Sequence, residues 1–234
     1  MSTIVVEVWG DFACFTRPET KVERFSYPVM TPSAARGVLD AIYAKPVEFS
    51  WRVNKIEVLK PVQFIALRRN EVKEKISERA IVTAFTKGGE LDPVIADTNK
   101  ELSGTDAKGR TQRQTIALKD VRYRIHAHIK PRSGLGSKQK AIEEQALRRI
   151  SKGKCFYQPY LGCREFTGYF ALADSDKQIE PVTMEIGWMV YDVFDIDMPV
   201  IDAAAPFVSI FRAQLVNGVM EIPPWESNMV IKPR

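Results

Sequence analysis

The stretch Asp120-Val121-Arg122-Tyr123-Arg124-Ile125-His126-Ala127-His128-Ile129-Lys130 decides how this chain is read. A strand has a side-chain period of two, so His126 and His128 fall on one face with Arg122 and Arg124, while Tyr123 and Ile125 share the other. The chain has 2 histidines, and this strand holds both.

Outward from this strand, the pattern predicts a mixed order of elements. Thr3–Trp9 alternates and is β-branched, which predicts a strand, and Gly10-Asp11 ends it. Thr31-Pro32-Ser33 starts a helix, with Thr31 as N-cap and Pro32 in its first turn. Ala35, Val38, Leu39 and Ile42 follow helical spacing, and Pro46 closes the segment. Trp51–Leu59 predicts a second strand that runs on to Ile65. From about Arg68 to Arg113 the pattern dissolves into charge, Gly and Asp, which predicts an extended hairpin or excursion. Thr115–Lys130 is a long third strand, Ser133–Ser137 a turn, Lys138–Ile150 a second helix and Arg164–Leu172 a fourth strand.

This order is βαββαβ, so the expected fold class is α+β: a ferredoxin-like (RRM-like) domain over 1–177 with a long β-hairpin inserted at about 60–118. Pro181–Val193 and Phe207–Ile222 predict further strands, expected as a small antiparallel β unit over 178–234. No segment reaches the length of a membrane span, and the N-terminal apolar run is short for a signal peptide. Three cysteines without metal-type spacing point to a reduced, cytoplasmic protein. No metal constellation stands out, Asp192, Asp195, Asp197 and Asp202 reading as a solvated or partner-facing surface, and no cofactor is called for.

The net charge of +5 is unevenly spread. Residues 1–107 carry 15 basic and 15 acidic groups, residues 108–154 carry 14 and 3, and residues 174–234 carry 4 and 10. A basic block beside an acidic tail suits a nucleic-acid groove next to a region facing water or protein. The bland alternative is a solvated lysine-rich surface. Imidazoles among guanidinium groups suit a polyanion whose bond is broken by proton transfer, and RNA fits that description best. Arg110, Arg113, Arg122, Arg124, Lys130, Arg132, Lys138, Lys140 and Arg164 are the candidate phosphate contacts, some of them expected to be plain solvated charge. Phe156, Tyr157 and Tyr160 could stack bases or serve as loop anchors.

Five segments in order carry a family resemblance: Val8–Thr16, Tyr27–Gly37, Ala41–Pro46, Leu118–Tyr123 and Leu161–Tyr169. With them the chain resembles the CRISPR-associated endoribonucleases of the type I-C system, RAMP-superfamily proteins of the Cas5 group. The resemblance implies metal-free cleavage of the CRISPR precursor transcript within each repeat. It also implies retention of the 5′ handle (the product RNA's leading segment) in an interference complex with backbone and large subunits. The family's cutting site, a tyrosine ending the first helix with a lysine and a histidine on a later strand, maps onto Tyr43, His128 and the neighbourhood of His126. His126 stands at or beside the lysine position, where Lys119, Arg124 or Lys130 could substitute. On this reading Tyr43 aligns the ribose 2′-hydroxyl or acts as base, His128 transfers a proton, and His126 transfers a proton or steadies the phosphate. The rival expectation is a non-catalytic scaffold that grips the handle after another enzyme has cut.

Overall fold

The computed structural model describes residues 2–20, 22–91, 93–173, 176–199 and 206–233. Its organising element is the long strand β5 (Arg110–Pro131), flanked by β1 (Ile4–Ala13) and β3 (Phe49–Val58), both antiparallel to it. His126 lies opposite Val5 on one side and Lys55 on the other, and His128 opposite Arg52. With β6 (Tyr169–Leu172) and β9 (Val219–Glu221), the sheet order is β6-β1-β5-β3-β9. The short β2 (Arg24–Phe25) and β4 (Phe64–Val72) also pair with β5. The result is a mixed α/β architecture with a large antiparallel sheet and few helices.

Two helices cover the apolar face. In α1 (Pro32–Ile42) the Thr31 hydroxyl accepts from the Ala34 amide at 3.2 Å, and Ala35, Val38, Leu39, Ala41 and Ile42 are buried. The helix of Gln139–Ser151 buries Ile142, Ala146 and Ile150, one residue per turn. Tyr123, Ile125, Ala127 and Ile129 of β5 and Ile4, Val6 and Val8 of β1 meet them in one core. Burying about ten such side chains at roughly 1.5–3 kcal/mol each is the main force holding helices to sheet.

The contacts divide the chain into residues 1–65 with 116–234, and residues 66–115. The second unit, expected as an extended hairpin, also contains α2 (Glu78–Lys87) and α3 (Lys100–Ser103), capped by Ser77 and Asn99. The helix of Gln139–Ser151 is thus α4. The C-terminal segment, expected as a small β unit of its own, is grouped by its contacts with residues 1–65. Strands β7 (Met184–Asp192) and β8 (Ser209–Leu215) pair with each other, yet β7 packs on α1 and β9 pairs with β3. Met189, Tyr191, Phe211 and Leu215 are buried in the same core cluster as α1 and β3. A correction concerns Arg164–Gly168, which form a turn closed by Phe166 N–H on the Cys163 carbonyl at 2.9 Å, so β6 starts only at Tyr169. No helix among the described residues is long and apolar enough to cross a membrane.

Candidate nucleic-acid interface

The sheet face that carries the imidazoles is charged, and its cations are engaged in ion pairs. Arg122 donates to Glu7 and lies 4.8 Å from the Trp9 ring centroid. Arg124 donates to Glu57 at 2.5 Å and to the Lys177 carbonyl at 2.9 Å. Lys55 meets Glu57 at 2.8 Å, and Lys177 meets Glu7 at 2.5 Å. Arg52 pairs with Asp197, and Lys130 with Glu226 at 2.5 Å. Burial alone would raise the Glu57 carboxyl, but its bonds from Lys55 and Arg124 outweigh that and bring it down to about 2.

The two imidazoles differ in their surroundings. His126 Nε2 lies 3.0 Å from the Glu57 carboxylate, out of line for a hydrogen bond. Burial holds it below the ordinary histidine range despite that carboxylate. His128 Nδ1 is 2.9 Å from Asn54 Oδ1, which fits an Nδ1–H donor and leaves Nε2 as the acceptor. Burial, then the charge of Arg52, lowers its pKa as well. Both imidazoles are therefore neutral at pH 7.

Tyr43 lies elsewhere. It ends α1, with its N–H on the Leu39 carbonyl at 2.8 Å, and its own carbonyl accepts from the Trp51 indole at 2.8 Å. Its ring packs against Phe49 at 5.2 Å and Phe156 at 6.4 Å, and only 4% of the residue is exposed. Trp51 and Ile129 are register partners on the helix-covered face, whereas His128 projects to the other. The phenol and the imidazole pair thus occupy opposite sides of the sheet, and the structure does not bring the three together. The Tyr43 hydroxyl has no hydrogen-bond partner among the described residues and is not sealed from solvent. It sits where Arg149 spans the Tyr43 and Phe156 rings, at 5.9 and 4.3 Å.

The other candidate phosphate contacts are scattered. Arg110 pairs with Asp97 at 2.7 Å and Arg113 is half-buried, both within residues 66–115. Arg132 spends its guanidinium on the carbonyls of Pro46, Ile196, Asp197 and Met198, which ties down that loop. Lys138 and Lys140 are exposed at the start of α4, and Arg164 is exposed in the turn before β6. Sequence reasoning passed over Arg148, Arg149, Lys152 and Lys154 at the other end of α4. The first three follow helical spacing inside the basic block, so the signal was there. No group of three or more His, Cys, Asp or Glu among the described residues could hold a metal ion.

The family model of the CRISPR-associated protein Cas5, in its Cas5d form, matches residues 3–222. The chain belongs to this family. A curated relative from Mannheimia succiniciproducens, named CRISPR pre-crRNA endoribonuclease Cas5d, is 41% identical over 238 residues, covering 97% of each chain. A relative of the same name from Thermus thermophilus is 38% identical over 199 residues, covering 85% of this chain and 76% of its own. Among solved structures, a CRISPR-associated protein superposes with a TM-score of 0.63 at 20% identity, covering 98% of this chain and 96% of its own. A functionally uncharacterized Streptococcus mutans protein does so at 0.60 and 20%, covering 98% and 97%. At that identity the two structures speak to the fold alone.

Proposed function

We propose that this chain is a pre-crRNA endoribonuclease that cuts CRISPR precursor transcripts within the repeat and keeps the 5′ handle as a subunit of an interference complex of type I-C. The observation that carries the reading is the 41% identity, over 97% of both chains, to a relative named for that activity. Such a protein works in the cytoplasm, where its transcript is made. The ferredoxin-like arrangement belongs to the same proposal. It is supported by β5 lying between β1 and β3, the strands joined through α1, and by β1 lying between β5 and β6, the strands joined through α4.

Cleavage without a metal uses the ribose 2′-hydroxyl as nucleophile on the adjacent phosphate. The 2′-oxygen to phosphorus bond forms, the bond to the departing 5′-oxygen breaks, and one proton leaves the 2′-oxygen while another reaches the 5′-oxygen. Electrostatics favours the Tyr43 side for this step. There a free phenol stands beside Arg149, which is suited to the charge on the phosphorane. On the imidazole side the cations are already engaged by Glu7, Glu57, Asp197 and Glu226, which weakens their pull on a phosphate. In this assignment Tyr43 touches the 2′-hydroxyl, and His126 and His128 belong to the buried polar network of the sheet.

The separation of Tyr43 from the imidazoles is also what favours the second reading, a scaffold that only grips the handle. Incubating the chain with a labelled repeat in EDTA, with and without a 2′-deoxy residue at the cut, separates the two. Scission of the ribose substrate alone supports the enzyme. No scission of either substrate leaves the scaffold.

A further inference from the structure

We propose that the C-terminal end of α4 and the turn after it form a binding site for an unpaired nucleotide of RNA. Phe156 stacks the base, and Arg148, Lys152 and Lys154 hold the flanking phosphates. The proposal rests on the reading that the ligand of this chain is RNA.

The chain builds this site rigidly. Gln145, Arg148, Arg149 and Lys152 recur at i, i+3, i+4 and i+7, so they share one face of α4. Gly153 then takes a left-handed φ of 61°. Its N–H bonds the Ile150 carbonyl at 3.1 Å and the Lys154 N–H bonds the Arg149 carbonyl at 2.9 Å, the paired closure of a Schellman turn. That closure folds Lys154 back beside the helical face, and the residues enclose an open cavity of about 250 Å³. Two residues on, the Phe156 N–H bonds the Ala41 carbonyl at 2.7 Å, which pins the ring to the end of α1. The ring is 56% exposed, with Arg149 4.3 Å from its centroid and Tyr43 stacked on it at an interplanar angle of 29°.

What singles out this cluster is uncompensated charge beside an exposed aromatic ring. Cations on the imidazole face end on carboxylates, but among the described residues Arg148, Arg149, Lys152 and Lys154 have no ion-pair partner. Arg148 bonds the Gln145 amide and Arg149 the Ile42 carbonyl at 2.7 Å. Cations at a helix C-terminus also complement its macrodipole, which accounts for some of this charge. That dipole is worth about half a negative charge, against four positive ones, so a large excess is left for an anion. Lysine and arginine beside an exposed, guanidinium-backed aromatic ring are the composition that grips single-stranded nucleic acid, by phosphate attraction and base stacking together. Duplex RNA hides its base faces and cannot use the ring.

The test is binding of an unpaired oligoribonucleotide carrying 2-aminopurine, in EDTA, with repeat cleavage and thermal melting followed in parallel. Wild-type chain is expected to quench the probe. Phe156→Ala should weaken binding about 10-fold and abolish quenching, and Phe156→Tyr should restore both. The triple variant Arg148→Gln, Lys152→Gln, Lys154→Gln should flatten the slope of log affinity against log salt by about 2. Wild-type affinity and quenching in both variants, at unchanged melting temperature, overturns the site. So does a triple variant that loses RNA and polyglutamate alike while Phe156→Ala changes neither, since that describes a surface for acidic protein. A chain that does not cut, yet binds through Phe156, keeps this inference and loses the endoribonuclease reading. A chain that cuts, with both variants binding like wild type, does the reverse.

Discussion

Replacing Tyr43 by Phe removes a single oxygen, and the structure says what that oxygen is worth to the fold. It has no hydrogen-bond partner among the described residues, while the ring it leaves behind keeps its contacts to Phe49 and Phe156. The stability change should therefore stay within about 0.5 kcal/mol. If the hydroxyl instead handles the ribose 2′-proton, the cleavage step should slow by about 100-fold, a barrier increase of about 3 kcal/mol. Tyr43→Ala is the contrasting case, because losing a buried ring costs about 3–5 kcal/mol and the two effects would be confounded. The assay is single-turnover cleavage of a labelled repeat at saturating protein, beside a thermal melt of the same preparation. Wild-type rate in Tyr43→Phe refutes the role of the hydroxyl. A rate loss matched by a large fall in melting temperature refutes the reasoning about its free position.

Other consequences are as direct. His128→Asn should keep the cleavage rate within about 3-fold of wild type, and a loss of about 100-fold with RNA affinity intact would move proton transfer to the imidazole face. Arg36 holds Asp192 through two bonds, at 2.6 and 3.0 Å, and so ties α1 to β7. Asp192→Asn should cost about 1–2 kcal/mol in urea unfolding, because it removes one of the two carboxylates on the Arg36 guanidinium and leaves Asp40 at 2.5 Å, and an unchanged midpoint would contradict this. Stability should also depend on pH in two steps. His126 and His128 have folded pKa values below the unfolded 6.5, so the unfolded chain takes up protons first and stability falls as pH drops below about 6.5. Glu57, held at about 2 against 4.5 when unfolded, contributes about 3 kcal/mol that is present above pH 4.5 and lost as pH falls toward 2. Urea midpoints measured across that range check both steps, and a flat profile would contradict them.

Much of the sheet was legible in the chain because alternation is a local property. Tyr123 and Ile125 against His126 and His128 gave the two faces of β5, and Thr31-Pro32 gave the start of α1. In the structure α1, and Tyr43 with it, packs on the face away from the imidazoles, a separation not drawn from that alternation. The family resemblance pulled the three together where the period kept them apart. Helix α2 escaped although Ile81, Ala84 and Phe85 follow helical spacing after the Ser77 cap, because charge and glycine set the reading of that segment, and α3, with 4 residues, is too short to show a period. Strand β9 lies within the predicted Phe207–Ile222 stretch, but its pairing with β3 is a long-range contact that no local pattern reveals. Charge was the least legible feature. The block containing Arg122 and Arg124 looked like a phosphate track, but their counter-ions Glu7 and Glu57 stand 115 and 67 residues away in sequence. The cations without such partners, Arg148, Arg149, Lys152 and Lys154 among them, can be recognised only once those remote pairs are subtracted.

The central claim is that the 2′-hydroxyl of the substrate itself breaks the chain, and the ends of the products report on it. Mass spectrometry of a repeat cut by this protein should find a 2′,3′-cyclic phosphate on the upstream fragment and a 5′-hydroxyl on the downstream one. A 3′-hydroxyl paired with a 5′-phosphate would mean that water attacked instead, and would contradict the account.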